Sequence, residues 1–238
     1  MNGSRWRRRR PLTVALVGAD GAGKSTVSSR LATEPMPMPV KTIYMGVNLE
    51  ASTLMLPTTR LLLAAKRARG GRPDLVASSL HSGDTAAPAG GQGWRKAARD
   101  AARMGVWMTE EWLRQGVATV YGARGYVVVF DRHFFADYYF ADVAEGSATG
   151  GAGKLHGWVL ENLYPKPALV ICLDAPAEVL YLRKPESSVQ WLEQRRQQYL
   201  RLSGVVPAFA VVDADRPLEV VVSDVIERIN QHWKAMSA

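Results

Sequence analysis

The sequence predicts an α/β fold in which helices cover both faces of a parallel sheet, and two observations carry that prediction. Five short runs rich in Val, Ile and Leu recur along the chain, at 12–17, 41–45, 126–130, 169–173 and 209–212. Continuous apolar runs are typical of strands that are buried on both faces. Segments with apolar residues at helical spacing lie between these runs, and this alternation indicates a doubly wound sheet.

The predicted helices fill the intervals between the strands. They cover 23–32, 54–69, 94–124, 155–162, 177–182, 187–202 and 218–234. Asp174 followed by Pro176 predicts the start of one helix, because a short polar side chain and a nearby proline favour a first turn. The segment 70–93 is rich in Gly, Ser, Pro and Ala, and we expect a flexible insertion there.

Length and composition indicate one domain. The chain has 238 residues and 47% hydrophobic content, which suits a single unit over 11–238. Its one cysteine, Cys172, lies in an apolar run and excludes an internal disulfide framework. We therefore expect a core thiol and a reducing, cytoplasmic location. No run reaches the roughly 18 apolar residues of a membrane span.

The first ten residues form a basic tail. The net charge is +8, and five arginines between positions 5 and 10 supply most of it. Such a tail can bind nucleic acid or a membrane surface, or it can be a solvated, disordered arm. We favour the disordered arm and expect no nucleic-acid partner.

A glycine-rich loop follows the first strand and fits the pattern G-x-x-x-x-G-K-[ST]. The residues expected to bind a nucleotide there are Gly18, Asp20, Gly21, Ala22, Gly23, Lys24, Ser25 and Thr26. Glycines let successive N–H groups point at phosphate oxygens, and the following helix start favours anions. Lys24 can reach the β- and γ-phosphates, and Ser25 can bind Mg²⁺. The alternative is a glycine-rich turn without a nucleotide.

Asp131 and Arg132 end the third predicted strand. Ligands of open α/β sheets bind at the carboxyl ends of the strands, so this pair is expected beside the glycine loop. The Asp131 carboxylate can hold Mg²⁺ or orient an acceptor oxygen, and Arg132 can clamp a phosphate. The alternative is a salt bridge between the two residues that only ends the strand.

These motifs resemble the thymidylate kinase family of P-loop nucleoside-monophosphate kinases. The resemblance rests on the loop 18–26, on Asp131-Arg132-His133, and on the runs 173–179 and 213–220. It implies a five-stranded parallel sheet with a mobile lid, ATP and Mg²⁺ as cofactors, and a homodimer. It also implies γ-phosphoryl transfer to an acceptor that lies over the loop.

The resemblance assigns roles to single residues. Asp20 would contact the sugar of the acceptor, and Arg132 would contact the transferred phosphoryl group. The lid matches 183–200, where the catalytic candidates are Arg183, Arg195 and Arg196. The alternative for Arg195 and Arg196 is a solvated helix face paired with Glu193.

The acceptor side departs from the family. The arginine-containing turn after the second strand is replaced by Tyr44-Met45-Gly46. This feature is similar to thymidylate-kinase-like proteins of bacterial polysaccharide gene clusters, and it allows a sugar or another hydroxyl compound as the acceptor. Arg114 and Tyr138 are the remaining substrate-binding candidates. Trp107 is expected in the core, whereas Trp112 could be in the core or stack on a base.

Three functions stay open at this point. The first is ATP-dependent phosphorylation of a nucleoside monophosphate, with dTMP as the leading acceptor and dTDP as the product. The second is a kinase of the same fold that acts on a sugar or another hydroxyl compound. The third is a nucleotide-binding regulatory protein that is anchored by its basic tail. This function would give no role to Asp131, Arg132 and the lid segment.

Overall fold

The computed structural model describes residues 11–46, 93–139 and 151–236, together with seven isolated positions between 54 and 68. Side chains are not described at 93–101, 103, 104, 107, 137, 138 and 151–156. The basic tail and the predicted insertion lie outside these residues, except for Gly93. The described positions 57, 59, 61, 64 and 68 are helical, as expected for 54–69.

Five parallel strands form one sheet. They are β1 (Thr13–Val17), β2 (Val40–Tyr44), β3 (Val127–Asp131), β4 (Leu169–Asp174) and β5 (Phe209–Asp213). Their order across the sheet is β2-β3-β1-β4-β5. The predicted five-stranded parallel sheet is confirmed, and each strand begins and ends within one residue of its predicted position.

Seven described helices flank the sheet or connect its strands. They are α1 (Lys24–Leu31), α2 (Gly93–Ala123), α3 (Phe134–Tyr138), α4 (Gly151–Asn162), α5 (Ala177–Arg183), α6 (Val189–Arg201) and α7 (Leu218–Ala235). The short helix α3 was not predicted. None of the described helices combines the length and the apolar composition that a membrane crossing requires.

Alternate residues of the central strands enter two separate cores. Val14 and Leu16 pack on one face of the sheet, against α1 and α7. Ala15 and Val17 pack on the other face, with Phe130 and Phe134. Because both faces are buried, β3 and β4 are apolar up to their last residues, the aspartates Asp131 and Asp174. Parallel pairing brings those ends to one edge of the sheet, where β1 Leu16 lies opposite β3 Asp131.

Cys172 on β4 is buried, as predicted. Burial and the nearby Asp174 carboxylate raise the pKa of its thiol to about 12. The thiol therefore stays protonated and packs as a small apolar side chain.

Candidate active site

The glycine loop joins β1 to α1 through backbone conformations that favour glycine. Gly18, Gly21 and Gly23 have φ values of 143°, 88° and 84°. A Cβ atom on Gly18 would lie 2.4 Å from the carbonyl oxygen of Leu173, and one on Gly21 would lie 2.5 Å from that of Leu180. The loop is thus held between the end of β4 and helix α5, and larger residues would displace it.

Lys24 is the first residue of α1 and lies against the loop. Its ammonium group donates hydrogen bonds to the carbonyl oxygens of Gly18 and Ala19, at 2.6 Å and 2.8 Å. Ser25 and Thr26, also in the first turn, are exposed. Ala22 is buried, and its backbone N–H donates a hydrogen bond to the Ala19 carbonyl oxygen. The predicted loop residues therefore surround one helix start, where N–H groups and the helix dipole favour an anion.

Arg132 follows β3 and contacts the glycine loop. Its Nη2 atom donates to Asp20 Oδ1 at 2.8 Å. Arg132 is also the one described non-glycine residue with a positive φ, 66°. Burial raises the pKa of the Asp20 carboxyl, but the charges of Lys24, Arg132 and Lys184 bring it below its ordinary value. The Asp20 carboxylate is therefore ionised, and three cationic side chains surround it.

Asp131 lies at the end of β3 and is nearly buried. Its Oδ1 atom has no hydrogen-bond partner among the residues that the structure describes. The ion pair found for the neighbouring Arg132 is with Asp20, on another element. The geometry thus favours the functional interpretation of Asp131-Arg132 over a local salt bridge, because a buried carboxylate oxygen that is left unpaired calls for a ligand.

The residues around the loop suit Mg²⁺. The Asp131 oxygen without a partner and the exposed Ser25 hydroxyl are the hard oxygen ligands that Mg²⁺ prefers. Within the described ranges, no group of three or more His, Cys, Asp or Glu residues could hold a metal ion. Proteins usually hold Mg²⁺ through one or two carboxylates together with substrate phosphates and water.

Gly46 connects the mouth of the site to a buried arginine. A Cβ atom on Gly46 would lie 2.6 Å from Arg132 Cδ and 2.6 Å from the Tyr44 hydroxyl. Its carbonyl oxygen accepts from Arg114 Nη1 at 3.4 Å. The glycine after β2 therefore lets Arg132 reach Asp20, and it ties that strand end to helix α2.

Arg114 on α2 is fully buried. Its Nε atom donates to the Leu54 carbonyl at 3.3 Å, and its guanidinium lies 5.6 Å from the centre of the Phe134 ring. Burial lowers the pKa of Arg114, against the opposing effects of Glu110, Tyr44 and Glu111. Arg114 therefore fixes the chain after β2, and its Nη2 atom has no hydrogen-bond partner among the described residues.

Several buried polar atoms near Arg114 also lack hydrogen-bond partners in the described part of the chain. They are Glu110 Oε2, Tyr164 Oη and both ring nitrogens of His133. The His133 ring contacts Tyr164, with centroids 5.7 Å apart. More than nine in ten buried polar groups are normally satisfied, so this group, which we call the α2 polar cluster, marks a place where a ligand or water would complete the hydrogen bonding.

Two more predicted residues are only partly described. Tyr138 lies in α3, and its side chain is outside the described set. The side chain of Trp107 is likewise outside it. Trp112 is 41% exposed and makes an edge contact with Tyr164, so it lies at the border of the α2 polar cluster and not in the core.

Arg196 of the predicted lid is bound to the end of β4. Its Nε and Nη2 atoms donate to the two carboxylate oxygens of Asp174, at 2.6 Å and 2.9 Å, and its Nη1 atom donates to Glu193. The hydrogen bonds to Asp174 raise the pKa of Arg196. The predicted helix entry after Asp174 is confirmed, because α5 begins at Ala177 with Pro176 as its N-cap residue. Asp174 does not cap that helix, because no side chain caps it and the Asp174 carboxylate binds Arg196 of α6.

The other two predicted lid arginines also have partners. Arg183 Nη1 donates to the carbonyl of Ala214, after β5, at 2.8 Å. Arg195 donates to Gln198 and to the Tyr199 hydroxyl, at 2.9 Å and 3.1 Å. The structure thus brings Arg183 and Arg196 to the ends of β5 and β4, and it packs Arg195 along its own helix. Their catalytic roles stay predictions.

Sequence reasoning did not assign a role to Glu110, Gln115 or Tyr164, and it gave Asp174 a different one. Glu110 and Arg114 are four residues apart on a helix, a spacing that normally indicates a solvated ion pair. In the structure both are fully buried, with 3.9 Å between Glu110 Oε2 and Arg114 Nη2. The sequence signal that could have indicated these residues is the concentration of polar residues from Glu110 to Gln115, inside a helix that packs on the sheet.

Comparisons with known proteins give a fold and a partial sequence match. No protein-family model matches the chain. It is 34% identical over 108 residues to a probable thymidylate kinase of Archaeoglobus fulgidus, a match that covers 42% of this chain and 52% of that protein. The chain therefore spans about half the length of this curated relative.

Two solved structures resemble the whole fold. One is deoxyadenosine kinase from M. mycoides with dCMP and dCDP bound, at a TM-score of 0.54 and 13% identity, covering 92% of this chain and 99% of that one. The other is the same enzyme with dCTP, at a TM-score of 0.52 and 14% identity, covering 92% and 100%. The chain has the P-loop kinase fold of these deoxynucleoside kinases, and part of its sequence is similar to a probable thymidylate kinase.

Proposed function

We propose that this chain is an ATP-dependent phosphotransferase that moves the γ-phosphoryl group of ATP to a nucleoside monophosphate, with dTMP as the first acceptor and dTDP as the product. The observation that carries the proposal is the contact between Asp20 of the glycine loop and Arg132 after β3, 2.8 Å apart. It brings the predicted phosphate-binding loop and a second predicted phosphate-binding cation to one sheet edge. The partial match to a probable thymidylate kinase supports dTMP as the acceptor.

The residues at this edge suit the donor half of the reaction. Lys24 and the N–H groups at the start of α1 would hold the β- and γ-phosphates of ATP. Ser25 and Asp131 would hold Mg²⁺, which neutralises phosphate charge when bound. Arg132, already ordered by Asp20, would leave that carboxylate for the more highly charged phosphoryl group.

On the acceptor side, the α2 polar cluster supports a polar ligand. Arg114 Nη2 could donate to a carbonyl oxygen of a base, while Glu110 Oε2 could accept from an N–H or O–H group. Completing these buried hydrogen bonds would give specificity, because a ligand that leaves them unpaired loses affinity. Trp112 and Tyr164 would provide the apolar wall.

One observation favours a second candidate acceptor. Glu110 of the cluster is buried, and so is the adjacent Glu111, whose charge acts on Arg114 and Tyr164. Two buried carboxylates make the cluster better suited to hydroxyl groups than to a second dianionic phosphate. A sugar or a nucleoside would present such hydroxyls. The candidate is therefore the same phosphoryl transfer with a neutral hydroxyl compound as acceptor.

An acceptor screen separates the two. The full chain is incubated with γ-labelled ATP, Mg²⁺ and a panel of nucleoside monophosphates, nucleosides and sugars. We expect label in dTDP when dTMP is present. Label confined to sugars or nucleosides would replace the first proposal with the second, and ATP binding without transfer to any acceptor would favour a regulatory nucleotide-binding protein. The homodimer and the cytoplasmic location are also proposals, which rest on the family resemblance.

A further inference from the structure

Tyr44 is the last residue of β2 and lies at the carboxyl edge of the sheet. In the register of the two strands it is paired with Asp131, the last residue of β3. The residues on either side of it, Ile43 and Met45, pack in the same core as Phe130. Because side chains alternate between the two faces of a sheet, Tyr44 and Asp131 belong to the opposite face, on which α1 packs.

The hydroxyl group of Tyr44 lies next to the side chain of Arg132. A Cβ atom on Gly46 would be 2.6 Å from the Tyr44 hydroxyl oxygen and 2.6 Å from Arg132 Cδ. Both atoms therefore border the same position at the mouth of the site. From there Arg132 extends to the glycine loop, where its Nη2 atom donates to Asp20. Tyr44 thus places a polar group beside the cation that follows β3.

The place of this hydroxyl suits contact with the acceptor. Phosphoryl transfer needs the attacking oxygen of the acceptor in line with the moving phosphoryl group, for which Arg132 is the proposed ligand. A polar group beside Arg132 is therefore close to the acceptor end of that line. A tyrosine hydroxyl donates one hydrogen bond and can accept others, so it can bind a phosphate oxygen while it keeps a partner in the protein.

We infer that Tyr44 is a substrate-binding residue whose hydroxyl donates a hydrogen bond to a phosphate oxygen of the acceptor nucleotide. The inference rests on the proposed function, because it requires a nucleoside monophosphate beside Arg132. Gly46 makes this contact possible, since a larger side chain there would displace the Tyr44 hydroxyl and Arg132 together.

The test compares dTMP with thymidine, because only dTMP carries the phosphate group. Calorimetry measures the affinities for dTMP, thymidine and ATP with Mg²⁺ in the wild-type chain, in Tyr44→Phe and in the control Tyr126→Phe. Losing one hydrogen bond to a charged group should weaken dTMP binding about tenfold in Tyr44→Phe. Its binding of thymidine and of ATP should weaken by less than about twofold.

Tyr126 is a matched control. It is half-buried, as Tyr44 is, but it lies just before β3 at the opposite edge of the sheet. Its ring packs against Tyr121, with centroids 5.3 Å apart. Tyr126→Phe removes the same hydroxyl group and should bind all three compounds as the wild type does.

Steady-state transfer assays give a second measurement. In Tyr44→Phe the KM for dTMP should rise about tenfold, whereas the KM for ATP should stay within about twofold of the wild-type value. A loss of packing alone would not separate the two substrates in this way.

Two outcomes would overturn the inference by itself. One is dTMP binding by Tyr44→Phe that is as tight as in the wild type. The other is an equal loss for dTMP and thymidine, or for dTMP and ATP, because the hydroxyl would then not act on the acceptor phosphate. A wild-type chain that binds no dTMP would instead overturn dTMP as the proposed acceptor, and this inference with it.

Discussion

Arg132 combines a functional side chain with a strained backbone. Its φ of 66° lies in the left-handed region, which costs an ordinary residue about 1–2 kcal/mol. The conformation turns the chain just after β3 and sends the guanidinium to Asp20, 2.8 Å away. Strain of this kind persists where the surroundings impose it, and it concentrates at functional sites.

Two substitutions at Arg132 separate strain from function. Arg132→Ala and Arg132→Gly both remove the guanidinium, so each should lower phosphoryl transfer at least about 100-fold. Glycine accepts the positive φ, so Arg132→Gly should be about 1 kcal/mol more stable than Arg132→Ala in urea unfolding. Equal stabilities would show that the backbone is not strained there.

His133 should make stability depend on pH. Burial lowers the pKa of its ring to about 3, whereas an unfolded histidine titrates near 6.5. The unfolded state therefore binds the proton first, and stability is lost as the pH falls below about 6.5. Between pH 8 and pH 5 the loss from this residue should be about 2 kcal/mol.

The control for this prediction is His133→Phe. Phenylalanine fits beside Phe130 and Tyr164 and has no ring nitrogen to protonate. Between pH 8 and pH 5, the unfolding free energy of His133→Phe should therefore fall by about 2 kcal/mol less than that of the wild type. Unfolding free energies from urea curves at pH 8 and pH 5 measure this difference. An equal loss in the two proteins would contradict the assignment.

At single positions, the sequence predicted the functional residues that belong to motifs. It missed the residues whose partners are distant in sequence and meet only in the folded protein. Lys24 and Arg132 were predictable because their spacing from glycines or a strand end has chemical meaning. Asp174 was assigned to the nearest helix, because the sequence shows only which residues are neighbours along the chain. Its ion pair with the Arg196 guanidinium forms only in the folded protein. Tyr164, buried without a hydrogen-bond partner among the described residues, carried no local signal.

At the scale of elements, two glycines of α2, Gly116 and Gly122, have opposite surroundings. Gly116 is exposed, and a Cβ atom there would meet nothing within 4 Å. Gly122 is buried, and a Cβ atom there would lie 2.2 Å from Pro11 Cβ. Gly116→Ala should therefore stabilise the chain by about 1 kcal/mol through helix propensity.

Gly122→Ala is the matched opposite case on the same helix. It should destabilise the chain by about 1–3 kcal/mol, because the added methyl must displace Pro11. Thermal unfolding of both variants measures the pair. Stabilisation by both would mean that Pro11 does not pack against α2.

The glycine loop offers a similar comparison. Gly21 and Gly23 both have positive φ, but only Gly21 meets a backbone oxygen, that of Leu180. Gly21→Ala should thus cost about 1–3 kcal/mol more than Gly23→Ala in urea unfolding. Equal losses would show that the loop does not pack tightly on α5.

The elements themselves were largely predictable. Buried parallel strands are short apolar runs, so their positions could be read within a residue. Helix α3 was missed because five residues are too few to show a helical period. Its role follows from packing, since Phe134 and Phe135 are fully buried in the core that also contains Phe130.

At the scale of the whole molecule, the topology explains how distant residues form one site. The strand order puts β1 between β3 and β4. The glycine loop after β1 therefore lies between Arg132, after β3, and Asp174, at the end of β4. Lys24, Asp20 and Arg132 are separated by up to 112 positions in sequence and meet at one sheet edge, as expected for ligand sites of open α/β sheets.

The acceptor side could be predicted less well because it depends on contacts that sequence does not show. Gly46 lies 68 positions before Arg114, and it accepts a hydrogen bond from that residue through a carbonyl oxygen that any residue would carry. The need for glycine there appears only when Arg132 Cδ is seen 2.6 Å from the position of a Cβ atom.

We propose that the glycine loop holds ATP for transfer of its γ-phosphoryl group. The most direct measurement is the initial rate of label transfer from γ-labelled ATP to dTMP by the wild-type chain and by Lys24→Met. We predict labelled dTDP from the wild type and a rate at least about 100-fold lower for Lys24→Met, with a similar thermal unfolding midpoint. An undiminished rate in Lys24→Met would contradict the account.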